Sequence, residues 1–414
     1  MKILMVNKFL HANGGSETYI FELGKELVRK GHEVEYFGMD HPDRLVGNSA
    51  NEYVSNMDFH KGGRLSKLFY PFKIIYSREA VRKIRIVLDK MQPDVVHLNN
   101  INFQLTPAII TEIRRWQKDN DRSVRIVATI HDPQWVCPNH MLIDGRGDKC
   151  RECLSGHYGS CVKKGCVHGS KLKSLLAAIE AVLYRRLKTY RQVDTVITPS
   201  RFMAGVMGHN PDLEGRIETL YNFVSVNDVN EDKVADYKKR QGLNEDTPYV
   251  LYFGRFSEEK GIHTLTAAAA ALPEILFIFA GSGPEEDEVN EVDNIINVGF
   301  TTGEDLVALI KGASFSLIAS ECYENCPFTV MESLSLGIPV IGSDIGGIPE
   351  LIDDKVTGEL FPSGDADALR DKIYELYNDE DKLRQYRENC SKIGFDDLGT
   401  YTDKVIKIYT GQAE

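Results

Sequence analysis

Two glutamates, Glu324 and Glu332, stand eight positions apart in the stretch YENCPFTVME. FSLIAS before them reads as a strand, ECYENC as a loop, and PFTVMESLSLG as a helix with Pro327 near its first position. Free backbone N–H groups from Cys326 through Phe328 to Thr329 make that helix start a natural seat for a phosphate. The flanking carboxylates then suit hydroxyl groups, Glu332 those of a ribose and Glu324 those of a second sugar. Acids favoured only by the helix dipole are the alternative. Upstream, FGRFSEEKG places Arg255 just after a strand and Lys260 five residues on, with Gly254 and Gly261 allowing tight backbone. A planar fork and a mobile point charge can grip a diphosphate, unless both are ordinary surface cations. FAGSGPE, with Gly281 and Gly283, is a further strand-end loop or a plain turn. INVGF ends a strand at Phe300, in a position to lie beside a nucleobase.

A second set lies in the first half. ATIHDPQW ends a strand with His131, which can donate to a sugar hydroxyl or serve as a structural histidine. Gly14 and Gly15 let backbone approach a diphosphate, or meet a loop requirement. Between Asp132 and Lys171 the chain turns poor in apolar residues and carries five of its eight cysteines: Cys137, Cys150, Cys153, Cys161 and Cys166. Cys-x2-Cys in a reducing compartment favours metal or redox use, and four thiolates suit a closed tetrahedral zinc site that would order a polar loop. Unbound thiols, a disulfide or an iron–sulfur cluster are the other readings, and which four of the five would ligate is open.

These groups need a scaffold. KILMVN (2–7) is a β-rich run, and SETYIFELGKELVRKG follows with helical spacing, Ser16 as N-cap and Gly31 as stop. HEVEYFG, PDVVHL, VRIVATI and VDTVITPS continue the strands. A second series runs from TPYVLYFGRF (247–256) to TGELFPSGD (357–365), with helical segments between. Such alternation predicts two doubly wound α/β domains with parallel sheets, 1–200 and 201–395, facing across a cleft. A final helix, LGTYTDKVIKIYT, falls in 396–414 and is expected to cross back to the first domain. The cysteine insertion occupies about 133–170.

The chain has 414 residues, more than one core usually serves. Residues 1–200 hold 31 Lys and Arg against 21 acids, a net of +10. Residues 201–414 hold 18 against 40, a net of −22. The basic half is expected to face something anionic, with cation clusters at Lys61–Arg85 and Lys163–Arg191 suited to an anionic membrane. No apolar window is long enough to span a bilayer, and no signal-peptide pattern opens the chain, so a cytoplasmic protein, peripheral on the membrane at most, is expected. Nothing in the motifs points to nucleic acid.

Taken together, Arg255-x4-Lys260, Glu324-x7-Glu332, the stretch GIPVIGSDIGGIPELIDDKVTGELF and the opening NGGSETYIFELGKELVRKGHEVEYF resemble the retaining GT-B glycosyltransferases of family 4. The resemblance covers about residues 1–135 and 185–410 and leaves out the cysteine insertion. It implies the GT-B architecture, two Rossmann-like domains across a cleft. It also implies retaining transfer of a hexosyl group from a UDP- or GDP-linked sugar to a glycan or lipid-linked acceptor, in cell-surface polysaccharide or glycolipid assembly. No metal is required for catalysis on this view, and zinc would be structural. Glu324, His131, Arg255 and Lys260 would be catalytic, His131 contacting the donor sugar. Gly14, Gly15, Gly281, Gly283, Phe300, Cys326, Pro327, Phe328 and Glu332 would bind the donor. A nucleotide-sugar epimerase on the same fold and a non-catalytic glycan-binding protein are the rival readings.

Overall fold

A computed structural model describes residues 1–56, 74–226 and 228–412. Part of the first basic cluster, Lys61 to Lys73, lies outside the described residues. The chain divides into two compact units, Met1–Tyr221 with Leu398–Glu414, and Asn222–Asp397.

In the first unit β1 (Lys2–Val6), β2 (Glu33–Phe37), β3 (Val95–Leu98), β4 (Arg125–Thr129), β5 (Thr195–Thr198) and β6 (Ile217–Thr219) form one sheet in the order β2-β1-β3-β4-β5-β6. Every neighbouring pair is parallel. β3 and β5 are buried along their whole length, as strands covered on both faces must be. β6 extends this unit past the boundary expected at 200, because Ile217 pairs with Val196. Its three residues, Ile-Glu-Thr, carry no apolar run that would announce a strand. The helix after β1 runs Gly15–Arg29, two residues earlier than a Ser16 cap would give, with Gly14 at the N-cap. Ser16 instead turns its hydroxyl to Glu17 and Asn100. The C-terminal helix Leu398–Thr410 belongs to this unit. Tyr401 and Tyr19 join their hydroxyls at 2.9 Å, and the Tyr409 hydroxyl meets His97 Nδ1 at 2.6 Å.

The second unit repeats the plan with β7 (Val250–Phe253), β8 (Phe277–Ala280), β9 (Ile295–Asn297), β10 (Phe315–Ile318), β11 (Val340–Ser343) and β12 (Gly358–Phe361). Its order is β12-β11-β10-β7-β8-β9, again parallel throughout. Phe256, Phe277, Phe279, Phe315 and Phe361 pack one face of the sheet, and Tyr249, Leu251, Ile278 and Leu309 the other. Alternate residues of single strands feed both cores, as the period of two requires. Connections reverse between β7 and β10, and between β1 and β3 in the first sheet. At such switch points the carboxyl ends of neighbouring strands leave a crevice for a ligand.

Candidate functional site

The second switch point gathers the residues that open the sequence reading. β7 ends at Phe253 and releases Gly254 and Arg255; β10 ends at Ile318 and leads to Glu324. Two backbone bonds tie these loops together: the N–H groups of Glu321 and Cys322 donate to the Glu259 carbonyl at 3.0 and 3.3 Å. Gly261 permits the approach. It sits at φ 74°, and a Cβ there would lie 2.0 Å from the Ala319 carbonyl oxygen. The result brings Lys260 Nζ onto Glu324 Oε1, a contact the Ser320 hydroxyl joins at 2.9 Å. Burial pulls the Lys260 pKa down, but the charge and hydrogen bond of Glu324, with Cys322 and Glu259, together lift it above the ordinary lysine value. Glu324 is also held by its backbone, since its carbonyl accepts from the Gly347 N–H at 2.8 Å. Gly346, at φ 64°, would clash with that carbonyl if it bore a Cβ. The GIGG-like tail of the motif is therefore a clamp on Glu324. Arg255 is exposed, and no carboxylate pairs with its guanidinium among the described residues. One cation here is neutralised by an acid, and the other is open to an anion.

Gly281 and Gly283 have an internal explanation. A Cβ at Gly281 would fall 1.9 Å from the Gly254 carbonyl oxygen, and at Gly283 2.1 Å from that of Phe256. They let the β8 loop pack on the Arg255 loop. Pro327 is the N-cap of the helix Phe328–Ser335, with no side-chain cap. Proline has no N–H, so the open donors begin at Phe328, not at Pro327. The Cys326 carbonyl accepts from Asn222 Nδ2 at 3.0 Å, and its side chain is buried. Glu332, in this helix, is half-buried, and burial pushes its carboxyl up to about 7. Phe300 follows β9 and is 80% exposed, two strands away from β7.

At the first switch point two histidines, His97 and His131, are neutral. His131 follows β4, and its Nε2 lies 2.9 Å from Asn99 Oδ1 at the end of β3. Asn99 turns its own Nδ2 to the His97 carbonyl at 3.5 Å, which leaves Oδ1 as acceptor and places the imidazole proton on Nε2. Burial pushes the pKa of His131 down to about 3, so the ring is neutral and its Nδ1 has acceptor character. The Tyr19 ring meets His131 edge-on at 5.0 Å. Asn7, after β1, donates to Glu17 Oε1 at 2.8 Å and accepts from the Asn100 N–H at 3.0 Å. Gly14 lies at the head of this network, in extended backbone any residue adopts, and a Cβ there would come no nearer than 3.7 Å to Glu17.

Ser320, Asn99, Asn7 and Glu17 were not singled out from the sequence. For Ser320, Asn99 and Asn7 the one signal is position, a polar residue within a few places of a strand's carboxyl end, as in HLNN and LIAS, whereas Glu17 lies in the first turn of the helix that follows. In the insertion the five cysteines line one small cavity. Among the described residues, metal-ligating atoms gather within 4.8 Å of one another at a different place, His263, Glu285 and Glu288. That group is partly exposed, and His263 and Glu288 pair with each other, which accounts for its closeness.

Comparison with known proteins identifies the family and the fold. The model of "Glycosyltransferase Family 4" matches residues 13–228, more than half of the chain, and that of "Glycosyl transferases group 1" matches 233–393. N-acetyl-alpha-D-glucosaminyl L-malate synthase of Bacillus anthracis is 22% identical over 96% of this chain and 92% of its own. O-antigen chain mannosyltransferase C of Escherichia coli is 28% identical over 55% of this chain and 65% of its own. The solved structure of Anabaena HepE with UDP and glucose superposes with a TM-score of 0.67 at 18% identity, covering 99% of this chain and all of the other. Sucrose-phosphate synthase from Thermosynechococcus elongatus gives 0.69 at 20%, over 99% and 98%. Both likenesses speak for the GT-B fold. With two such sheets, the Arg255–Lys260 and Glu324–Glu332 pairs in place, and a family model spanning most of the first unit, the chain belongs to glycosyltransferase family 4.

Proposed function

We propose that this enzyme transfers a hexosyl group, with retention at the anomeric carbon, from a UDP- or GDP-linked donor to a glycan or lipid-linked acceptor. The observation that carries the reading is the Lys260–Glu324–Ser320 contact beside the unpaired Arg255, at the switch point of the second sheet. Arg255 and the N–H groups from Phe328 onward would take the diphosphate. Glu332 would take the ribose hydroxyls, and Glu324 those of the departing sugar. As the donor's C1–O bond breaks, its electron pair goes to the diphosphate, where Arg255 and Lys260 stabilise the charge. The acceptor oxygen bonds C1 on the same face, and its proton passes to the leaving phosphate oxygen. His131 would accept a hydrogen bond from a donor-sugar hydroxyl. Cations fill the role a metal ion plays elsewhere in phosphate chemistry, so the reaction on this reading needs none. The UDP and glucose named with the Anabaena structure make a UDP-sugar the first donor to try. Relatives named for lipopolysaccharide and O-antigen synthesis support a cell-surface product.

A peripheral membrane contact belongs to the same reading. The helix Lys171–Arg186 exposes Leu172, Leu175 and Ile179 beside Lys171, Lys173 and Arg186, a mixture that suits the interface of an anionic leaflet. No helix among the described residues is long and apolar enough to cross a membrane. A thermal-shift panel of UDP-, GDP- and ADP-sugars, followed by product analysis with the best binder, tests the proposal. A shift with one nucleotide, and a product of the donor's anomeric configuration, is expected. Isomerised donor in the absence of acceptor would favour an epimerase, and no binding at all would overturn the enzyme assignment.

A further inference from the structure

The transfer reaction leaves one cluster of chemically capable groups unused. Residues 133–170 form little regular structure among the described residues: one helix, Gly159–Lys164, and an isolated bridge between Ile143 and Lys149. The apolar cluster beneath it is small, built on Cys153, Tyr158, Cys161 and Ala178. A segment of this length with so few apolar contacts needs another source of order. Its five cysteines are all free thiols, and all five line a single cavity of about 10 Å³ with Pro138, Leu142 and Ile143. That volume suits one small sphere.

The surroundings supply polar partners to the sulfurs. The Cys137 thiol meets Asn139 Oδ1 at 3.1 Å. Lys164 Nζ lies 3.7 Å from Cys150 Sγ. Asp144 and Glu152 hold that lysine in place, at 3.3 and 2.8 Å. Spacing separates four cysteines from the fifth. Cys137 and Cys166 each stand twelve residues outside the Cys150-x2-Cys153 pair. Cys161 breaks that symmetry, lies within the short helix, and is 1% exposed in the apolar cluster.

We propose that Cys137, Cys150, Cys153 and Cys166 hold one structural Zn²⁺ in this cavity, with Cys161 as a packing residue. Binding replaces four S–H bonds by four Zn–S bonds and releases four protons. A tetrahedral zinc–thiolate site has sulfur–sulfur edges of about 3.8 Å. Among the described residues no three of these sulfurs lie within 4.8 Å of one another, so on this proposal binding would draw the loops inward. The Lys164 ammonium offsets part of the site's double negative charge. The ion is independent of sugar transfer and locks the segment that follows His131.

Metal analysis of the full chain, purified under thiol reductant, tests this directly. About one zinc per chain is expected, with a sulfur-to-metal charge-transfer spectrum once Co²⁺ replaces it. Cys161→Ala keeps the zinc, whereas Cys153→Ser loses it and speeds proteolysis within 133–170. Should Cys153→Ser not fold, the metal content and cobalt spectrum of the unmodified chain still decide. Wild-type protein carrying five titratable thiols and no metal, or disulfides in place of thiols, would overturn the proposal, as would full zinc retention in Cys153→Ser. None of these results depends on whether a donor or acceptor has been found.

Discussion

At the strand ends of the second unit, opposite charges are paired and backbone is pressed against backbone. At those of the first, two neutral histidines stand among groups linked through asparagine amides. Lys260 and Glu324 neutralise each other beside an open Arg255, whereas His131 and His97 are held neutral by burial. The glycines differ in the same way. Gly261, Gly281 and Gly283 are required by contacts inside the unit, while Gly14 is not. On the function proposed above, a charged diphosphate would be met by rigid, compensated charge in the second unit, and sugar hydroxyls by neutral donors and acceptors in the first.

The sharpest way to break the contrast is at the paired charges. Glu324→Ala and Lys260→Ala should each lower kcat/KM on the order of 10²–10³, with an unchanged circular dichroism spectrum. Activity near that of the parent in either variant would remove that residue from the reaction. His131→Ala should cost less, about 10–10², because a neutral acceptor contributes less than an ion near the leaving group.

Proton linkage separates the units by sign. The folded pKa of Glu332 is raised to about 7, so the native state keeps its proton and loses that stability as pH climbs from its unfolded value of 4.5 to about 7. Nucleotide affinity should move the other way, rising up to about tenfold per pH unit below 7, since the ionised carboxylate accepts from ribose hydroxyls better. Glu332→Gln should flatten a calorimetric pH series. His97 and His131 have folded pKa values lowered to about 3. The first unit therefore weakens as pH falls below the unfolded value of 6.5, where the unfolded chain takes up protons and the native rings do not.

The smallest effects sharpen the glycine comparison. Gly261→Ala should destabilise by about 2–4 kcal/mol in urea, from left-handed backbone strain and the clash with Ala319. Gly14→Ala should cost under about 1 kcal/mol of stability yet weaken donor binding, if the donor's approach is what glycine serves there. Tyr401→Phe, which removes the bond to Tyr19, should cost about 1 kcal/mol.

Much of this was legible in the sequence, because strands buried on both faces must read as apolar runs and strand-end loops must carry the chemistry. Eleven strands could be anticipated near their observed places; β6 could not, since Ile-Glu-Thr becomes a strand only through its neighbour β5. Residue types and spacing drew attention to Arg255, Lys260, Glu324, Glu332 and His131, and the resemblance to family 4 supplied the roles expected of them. Tertiary structure alone decided that Lys260 bonds Glu324 across 64 residues of chain, and that Asn99 sets the tautomer of His131. It also gave Gly346 and Gly347 the task of holding the Glu324 backbone. Apolar period and turn chemistry are local properties, so one stretch of chain displays them. Charge pairing, desolvation and backbone contact arise between stretches that only the closed fold brings together.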